Sequence, residues 1–168
     1  MSRPARRLAV SALAVGVGIA VLSGHGGAAT SSGTPPKAAA RAIAYARQQL
    51  GKPYLWGGTG PYAFDCSGLV MMAYRSAGIG IARTSQAQWA TERHVSRPRQ
   101  GDLVFYPGAD GTWSNPGHVG LVTGPNRMIQ AYAPGTPIGT YPYGVPAALA
   151  GTGPGTVIGY TRPWKTAA

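Results

Sequence analysis

The sequence predicts an α+β fold in which N-terminal helices pack on a mainly antiparallel β-sheet. Two observations carry this. Helix-patterned segments come first along the chain and strand-patterned segments follow, two of them joined by a short turn. The 168 residues also include 26 Gly and 15 Pro, about a quarter of the chain, which calls for many loops and tight turns and excludes a helical bundle, a coiled coil or a long helical repeat. A length of 168 residues fits one domain, and 44% apolar residues suffice for a core.

The elements follow in order. Arg3, Arg6 and Arg7 precede an apolar run from Leu8 to Leu22, and Gly26, Gly27, Ala28 and Ala29 come after it. This is the pattern of an export signal over residues 1–29, cleaved near Ala29. The run is shorter than the roughly 20 residues that span a bilayer. Residues 30–36 read as a short linker, and the domain proper occupies 37–168. Pro36 suits a helix start, and Lys37 to Leu50 follows as a helix with Ile43, Ala46 and Leu50 on its apolar stripe, stopped by Gly51. Gly51 to Phe64 is loop. A second helix is expected from Cys66 to Ala77, with Leu69, Val70, Ala73 and Ala77 turned inward and Gly78 as its stop. Residues 79–100 read as irregular apart from a short helix at Ser85–Thr91. Strands are expected at Leu103–Tyr106, His118–Val122, Met128–Tyr132, Ile138–Tyr141 and Val157–Tyr160. The second and third of these form a hairpin about Gly124-Pro125-Asn126, Asp110–Gly117 is a turn-rich loop, and Gly144–Gly155 is a further loop.

The charge is lopsided, with 15 Lys and Arg against 4 Asp and Glu, a formal net charge of +11. Without residues 1–29 the balance is 12 against 4, or +8 in 139 residues. A basic exported protein implies an anionic partner such as a cell-wall polymer or a membrane surface. No basic run is interleaved with aromatics, so no nucleic-acid partner is expected. A monomer is expected.

Cys66 is the single cysteine, so no internal disulfide forms. A lone cysteine is most often a buried small hydrophobe. Here it stands at a loop-to-helix junction, where unpaired N–H groups and the helix dipole favour a thiolate and can later hold an oxyanion. Asp65 beside it opposes ionisation, which points to a structural or substrate-binding role for that carboxylate. A nucleophilic thiol needs a base. Of the three histidines, His25 lies in the export signal and His94 in an exposed, Arg-rich stretch, whereas His118 opens the apolar strand Val119–Val122. If the hairpin closes symmetrically about Gly124, Gln130 lies directly across from His118 and can accept its other N–H. A solvent-facing Gln130 is equally compatible with the pattern. Three histidines and one cysteine offer no metal-ligand cluster, and no cofactor is implied.

Taken in order, the segments Gly51–Gly58 (GKPYLWGG), Phe64–Val70 (FDCSGLV), Arg83–Ser85 (RTS), Gly101–Phe105 (GDLVF), His118–Val122 (HVGLV) and Met128–Ala131 (MIQA) closely resemble the NlpC family of papain-like cysteine peptidases, which hydrolyse bacterial cell-wall peptides. The resemblance extends over residues 37–163. It implies a papain-like version of the α+β fold, with Cys66 as nucleophile, His118 as base and Gln130 as the third, polar residue. It also implies that Tyr54 brings its hydroxyl near the catalytic centre, that Asp65 and Ser67 shape the pocket for the substrate's N-terminal side, and that Arg83 and Ser85 border the cleft. Two positions depart from the family pattern: Gln130 stands where many members carry His, and Ile81-Ala82 where Leu-Pro is frequent. The resulting expectation is a secreted, wall-associated endopeptidase cleaving peptidoglycan stem peptides between γ-D-glutamyl and a diamino acid. The alternatives are an amidase or acyltransferase on the same scaffold, or a non-catalytic wall-binding module.

Overall fold

The computed structural model describes residues 36–144 and 155–164. The expected export signal, the linker up to residue 35 and most of the loop expected at 144–155 lie outside the described residues. Among the described residues three helices, α1 (Lys37–Arg47), α2 (Cys66–Ser76) and α3 (Ser85–Thr91), precede or flank six strands. The strands are β1 (Arg93–Val95), β2 (Leu103–Tyr106), β3 (His118–Gly124), β4 (Arg127–Gln130), β5 (Gly139–Pro142) and β6 (Gly159–Arg162). They form one sheet in the order β1-β6-β2-β3-β4-β5, every neighbouring pair antiparallel. The expected α+β class is what the chain adopts.

The central strand β2 is buried at all four positions because both faces of the sheet are covered. On one face Leu103, Phe105, Val119, Leu121 and Ile129 meet Ala39, Ile43, Leu69, Val70 and Ala73 of α1 and α2. On the other, Val104, Tyr106, Val122, Met128 and Tyr143 form a second cluster. Each large apolar side chain buried this way contributes on the order of 2 kcal/mol. Helix α2 is thus fixed on the sheet by Leu69, Val70 and Ala73, and Ala77 is only partly buried. Tyr74, which the apolar stripe does not include, is fully buried and donates its hydroxyl to the Gly101 carbonyl.

Several boundaries differ from the expected ones for identifiable reasons. Helix α1 ends at Arg47, because the N–H groups of Gln49 and Leu50 reach back only three residues, to Ala46 and Arg47. This tighter turn rotates Leu50 outward, where it is exposed, and buries Gln49 instead. Ile138 exchanges hydrogen bonds with the loop at Gly51 and Lys52, so β5 begins one residue later, at Gly139. The last strand runs to Arg162 rather than stopping at Tyr160. There the buried Arg162 guanidinium binds both oxygens of Asp102, at 2.7 Å each, and ties β6 to the start of β2. β1 falls within the stretch expected to be irregular; three mostly exposed residues, Arg93-His94-Val95, carry no buried alternation and are recruited by pairing with β6.

The β3–β4 hairpin contains a register shift between Val122 and Gly124, and Asn126 adopts a left-handed φ of 52° in its turn. The expected symmetrical closure therefore does not occur. Leu121 lies opposite Ile129, which sets Gln130 across from Gly120 and diagonal to His118. The displacement is two residues, so both side chains remain on one face.

Candidate active site

Helix α2 begins at Cys66 because Asp65 caps it: the Asp65 Oδ1 accepts the Gly68 N–H at 2.6 Å. Its Oδ2 accepts the Gly57 N–H at 2.9 Å, which joins the preceding loop to the helix start. Gly68 permits this approach, since a Cβ there would lie 2.1 Å from the Gly58 carbonyl oxygen. The same carboxylate is gripped by Arg83, whose two terminal nitrogens donate to Oδ1 at 3.0 Å and Oδ2 at 2.6 Å, and Arg83 also donates to the Ser67 hydroxyl at 2.9 Å. Gln88, fully buried on α3, donates to the carbonyls of Ser67 and Ala82 and so fastens the Arg83 segment to the first turn of α2.

Cys66 is buried at the head of a cleft of about 680 Å³. Asp65, Ser67, Arg83 and Ser85 line it, together with Trp56, Gly57, Thr84, Gln86, Asp110 and Gly117, which sequence reasoning does not single out as site residues. Trp56 lies within the Gly51–Gly58 segment and is 72% exposed, a signal legible only once the loop is seen to form a cleft wall. The sulfur lies 4.0 Å from the Gly117 carbonyl oxygen, and the N–H groups of Val119 and Ser67 and the Ser67 hydroxyl favour its ionised form. Burial outweighs them and, with the Asp65 charge, pushes the Cys66 thiol up to about 11. The expectation of a thiol lowered by the helix start is thereby corrected: a low-dielectric site and a neighbouring carboxylate outweigh the N–H groups.

His118 opens β3 immediately after Gly117, so the residues on either side of it both bear on the sulfur. Its imidazole is buried, with Tyr106 and Tyr132 at ring-centroid distances of 5.8 and 5.6 Å. Nε2–H donates to the Gln130 Oε1 at 2.7 Å. This bond fixes the tautomer and leaves Nδ1 as the basic nitrogen. Burial lowers the His118 pKa to about 4, against the opposing effect of the Gln130 bond. At neutral pH Cys66 is therefore a neutral thiol and His118 a neutral imidazole. Gln130 is fully buried, not solvent-facing, and its Nε2 has no partner among the described residues. Tyr54 is partly buried, and desolvation, followed by the charges of Cys66, Asp65 and Asp110, pushes its phenol up to about 12. Its hydroxyl thus stays protonated and able to donate, within reach of the Cys66 charge. His94 lies elsewhere, exposed, bonded to the Trp89 carbonyl at 2.8 Å and lining a separate cavity of about 480 Å³. Among the described residues no three His, Cys, Asp or Glu side chains gather as a metal-ligand set.

A buried cysteine at a helix start, a buried histidine at a strand start and an amide on the imidazole's far nitrogen have the make-up of a thiol-hydrolase centre. The NlpC/P60 family model matches residues 51–143, which takes in α2, α3 and strands β1 to β5. The chain belongs to the NlpC/P60 family. It is 44% identical over 115 residues to a probable endopeptidase of Corynebacterium glutamicum strain R, covering 66% of this chain and 51% of the relative. It is also 44% identical over 91 residues to the probable endopeptidase p60 of Listeria monocytogenes, covering 53% of this chain and 18% of that protein. This NlpC/P60 chain therefore spans about half the length of the first relative and less than a fifth of the second. Among solved structures it is similar to the peptidoglycan hydrolase RipB of Mycobacterium tuberculosis, at 30% identity and a TM-score of 0.62, covering 77% of this chain and 66% of that one. The resemblance read from the sequence is borne out for both the NlpC/P60 family and its papain-like α+β fold.

Proposed function

We propose that this chain is an exported cysteine endopeptidase that hydrolyses the stem peptides of bacterial peptidoglycan through an acyl-enzyme, at the bond between γ-D-glutamyl and a diamino acid. The observation that carries the reading is the buried bond from His118 Nε2 to Gln130 Oε1, made at the start of the strand whose backbone abuts the Cys66 sulfur. Relatives named as probable endopeptidases and a similar structure named as a peptidoglycan hydrolase support it. The basic start and apolar run of residues 3–22 support export. The formal charge of +8 that remains without residues 1–29 favours retention of the monomer on anionic wall polymers.

The chemistry is acyl transfer. With the peptide in the cleft, the thiol proton passes to His118 Nδ1 as the sulfur attacks the amide carbonyl carbon. The N–H groups at the start of α2 and the Tyr54 hydroxyl stabilise the oxyanion. His118, now an imidazolium held by Gln130, gives its proton to the departing amine, leaving a thioester on Cys66. A water molecule then gives a proton to Nδ1 and attacks the thioester, and the returned proton regenerates the thiol as the carboxylic acid leaves. Starting from neutral partners, no step requires a resting ion pair.

Digestion of purified peptidoglycan, read by mass spectrometry, tests the reading. Stem-peptide fragments ending in γ-D-glutamate are expected from the native chain and not from Cys66→Ala. Intact sacculi that bind the protein without releasing fragments would overturn it in favour of a wall-binding module.

A further inference from the structure

Acidic side chains are scarce in this protein, four against fifteen basic ones, and their placement is uneven. Asp65 is bound to Arg83 and Asp102 to Arg162. Glu92 closes α3 and takes no part in lining the cleft. Asp110 is different. It is exposed, makes no ion pair among the described residues, and lines the cleft together with Cys66 and Gly117.

Its position is built rather than incidental. Asp110 belongs to the loop between β2 and β3, which is closed on itself by bonds from the Gly117 N–H to the Pro107 carbonyl at 2.8 Å and from the Thr112 N–H to the Asn115 carbonyl at 2.9 Å. The next residue, Gly111, is packed so tightly that a Cβ would lie 2.0 Å from the Gly117 nitrogen. The far end of the same loop places the Gly117 carbonyl 4.0 Å from the reacting sulfur. The Asp110 charge also reaches the Tyr54 phenol. A free carboxylate held there disfavours an anionic ligand group and favours a cationic one.

We infer that Asp110 is a specificity-determining residue that takes up an ammonium group of the substrate, so that the site selects stem peptides whose diamino acid carries a free side-chain amine. The inference rests on the peptidoglycan-peptide reading above and deepens it. An alkyl amine is protonated at neutral pH, whereas the amide formed when that amine is cross-linked to another stem carries no charge. The selected substrate is therefore the uncross-linked stem, and cross-linked stems are disfavoured.

The test compares the tetrapeptide L-Ala-γ-D-Glu-L-Lys-D-Ala with its Nε-acetyl counterpart. An ion pair at a partly open site implies a preference of about three- to tenfold in kcat/KM for the free amine, mainly through KM, weakening as salt is added. Asp110→Asn should bring the ratio to within about twofold of one, while Asp110→Glu and the distant Glu92→Gln should keep it. A native ratio of one, or a preference that survives Asp110→Asn, overturns the inference. If the native chain cleaves neither peptide, the peptidase reading fails by itself, and the selection is then read from binding of both peptides to Cys66→Ala by calorimetry. A free-amine preference that is lost when Asp110→Asn is added upholds the role of Asp110; equal affinity, or none for either peptide, overturns it.

Discussion

Burial of His118 makes the fold acid-labile by an amount that can be worked out. In the unfolded chain the imidazole titrates near 6.5, whereas in the folded protein burial lowers it to about 4. Between those values the unfolded state binds the proton and the folded state does not, so stability is lost as pH falls from 6.5 towards 4. At ~1.4 kcal/mol per pH unit, a gap from 6.5 to about 4 amounts to roughly 3 kcal/mol. This is a large part of the 5–15 kcal/mol that holds a typical domain together. The group is buried, with 4% of its surface exposed, so solvent screening takes little away. The assay is urea unfolding followed by tryptophan fluorescence at pH 6.5 and pH 4, on the native chain and on His118→Gln. Other groups titrate equally in both proteins, so the difference between their two pH-induced losses isolates His118. The native chain should lose about 3 kcal/mol more than the variant. Equal losses would show that the folded imidazole protonates as readily as the unfolded one and would refute the neutral resting pair. The acid limb of peptide hydrolysis should correspondingly lie near pH 4, because only neutral His118 can accept the thiol proton.

Gln130→Ala strands the buried Nε2–H of His118 and frees the ring to rotate, a loss of roughly 1–3 kcal/mol that should lower kcat about 10- to 100-fold, with Gln130→His restoring most of it. Gln130→Glu sets a carboxylate against the same nitrogen, should raise the imidazole pKa, and should move the acid limb of the pH–rate profile upward; an unmoved limb would place this side chain outside the site. Because burial and Asp65 hold the thiol near 11, alkylation of Cys66 by iodoacetamide should climb with pH throughout the neutral range, whereas a plateau reached below pH 6 would indicate a preformed thiolate. Cys66→Ala should be folded and inactive in the peptidoglycan digest. His94→Ala should keep near-native turnover in the same assay, since His94 contacts Trp89 in a cavity that does not include Cys66.

What the sequence makes legible is local, and what it misses depends on the third dimension. Cys66 at a helix start is legible because a Gly- and Pro-containing loop gives way there to a helical apolar pattern; that Asp65 holds this start by accepting the Gly68 N–H is visible only in the fold. Strand β2 is legible because Leu103–Tyr106 is an unbroken apolar run that fits a sheet covered on both faces. β1 is not, because its three residues are held by pairing with a strand more than sixty residues away and carry no pattern of their own.

His118 and Gln130 show the same division more finely. That His118 and Gln130 share a face follows from their even separation and survives the hairpin's bulge, since a displacement of two residues preserves the face. That they lie diagonally rather than directly opposite does not follow from spacing, because the register is decided by the shift between Val122 and Gly124. The charge state is hidden more deeply still. The helix start alone argues for a thiolate, and nothing local in the sequence shows the burial that reverses it. That burial comes from how α2 is laid on the sheet and how Tyr106 and Tyr132 enclose the imidazole. A neutral resting pair places the proton transfer in the attack itself, so the position of His118 relative to the sulfur must be set before substrate arrives. The buried Gln130 bond sets the ring, and the strand start that abuts Cys66 sets the backbone from which the ring projects.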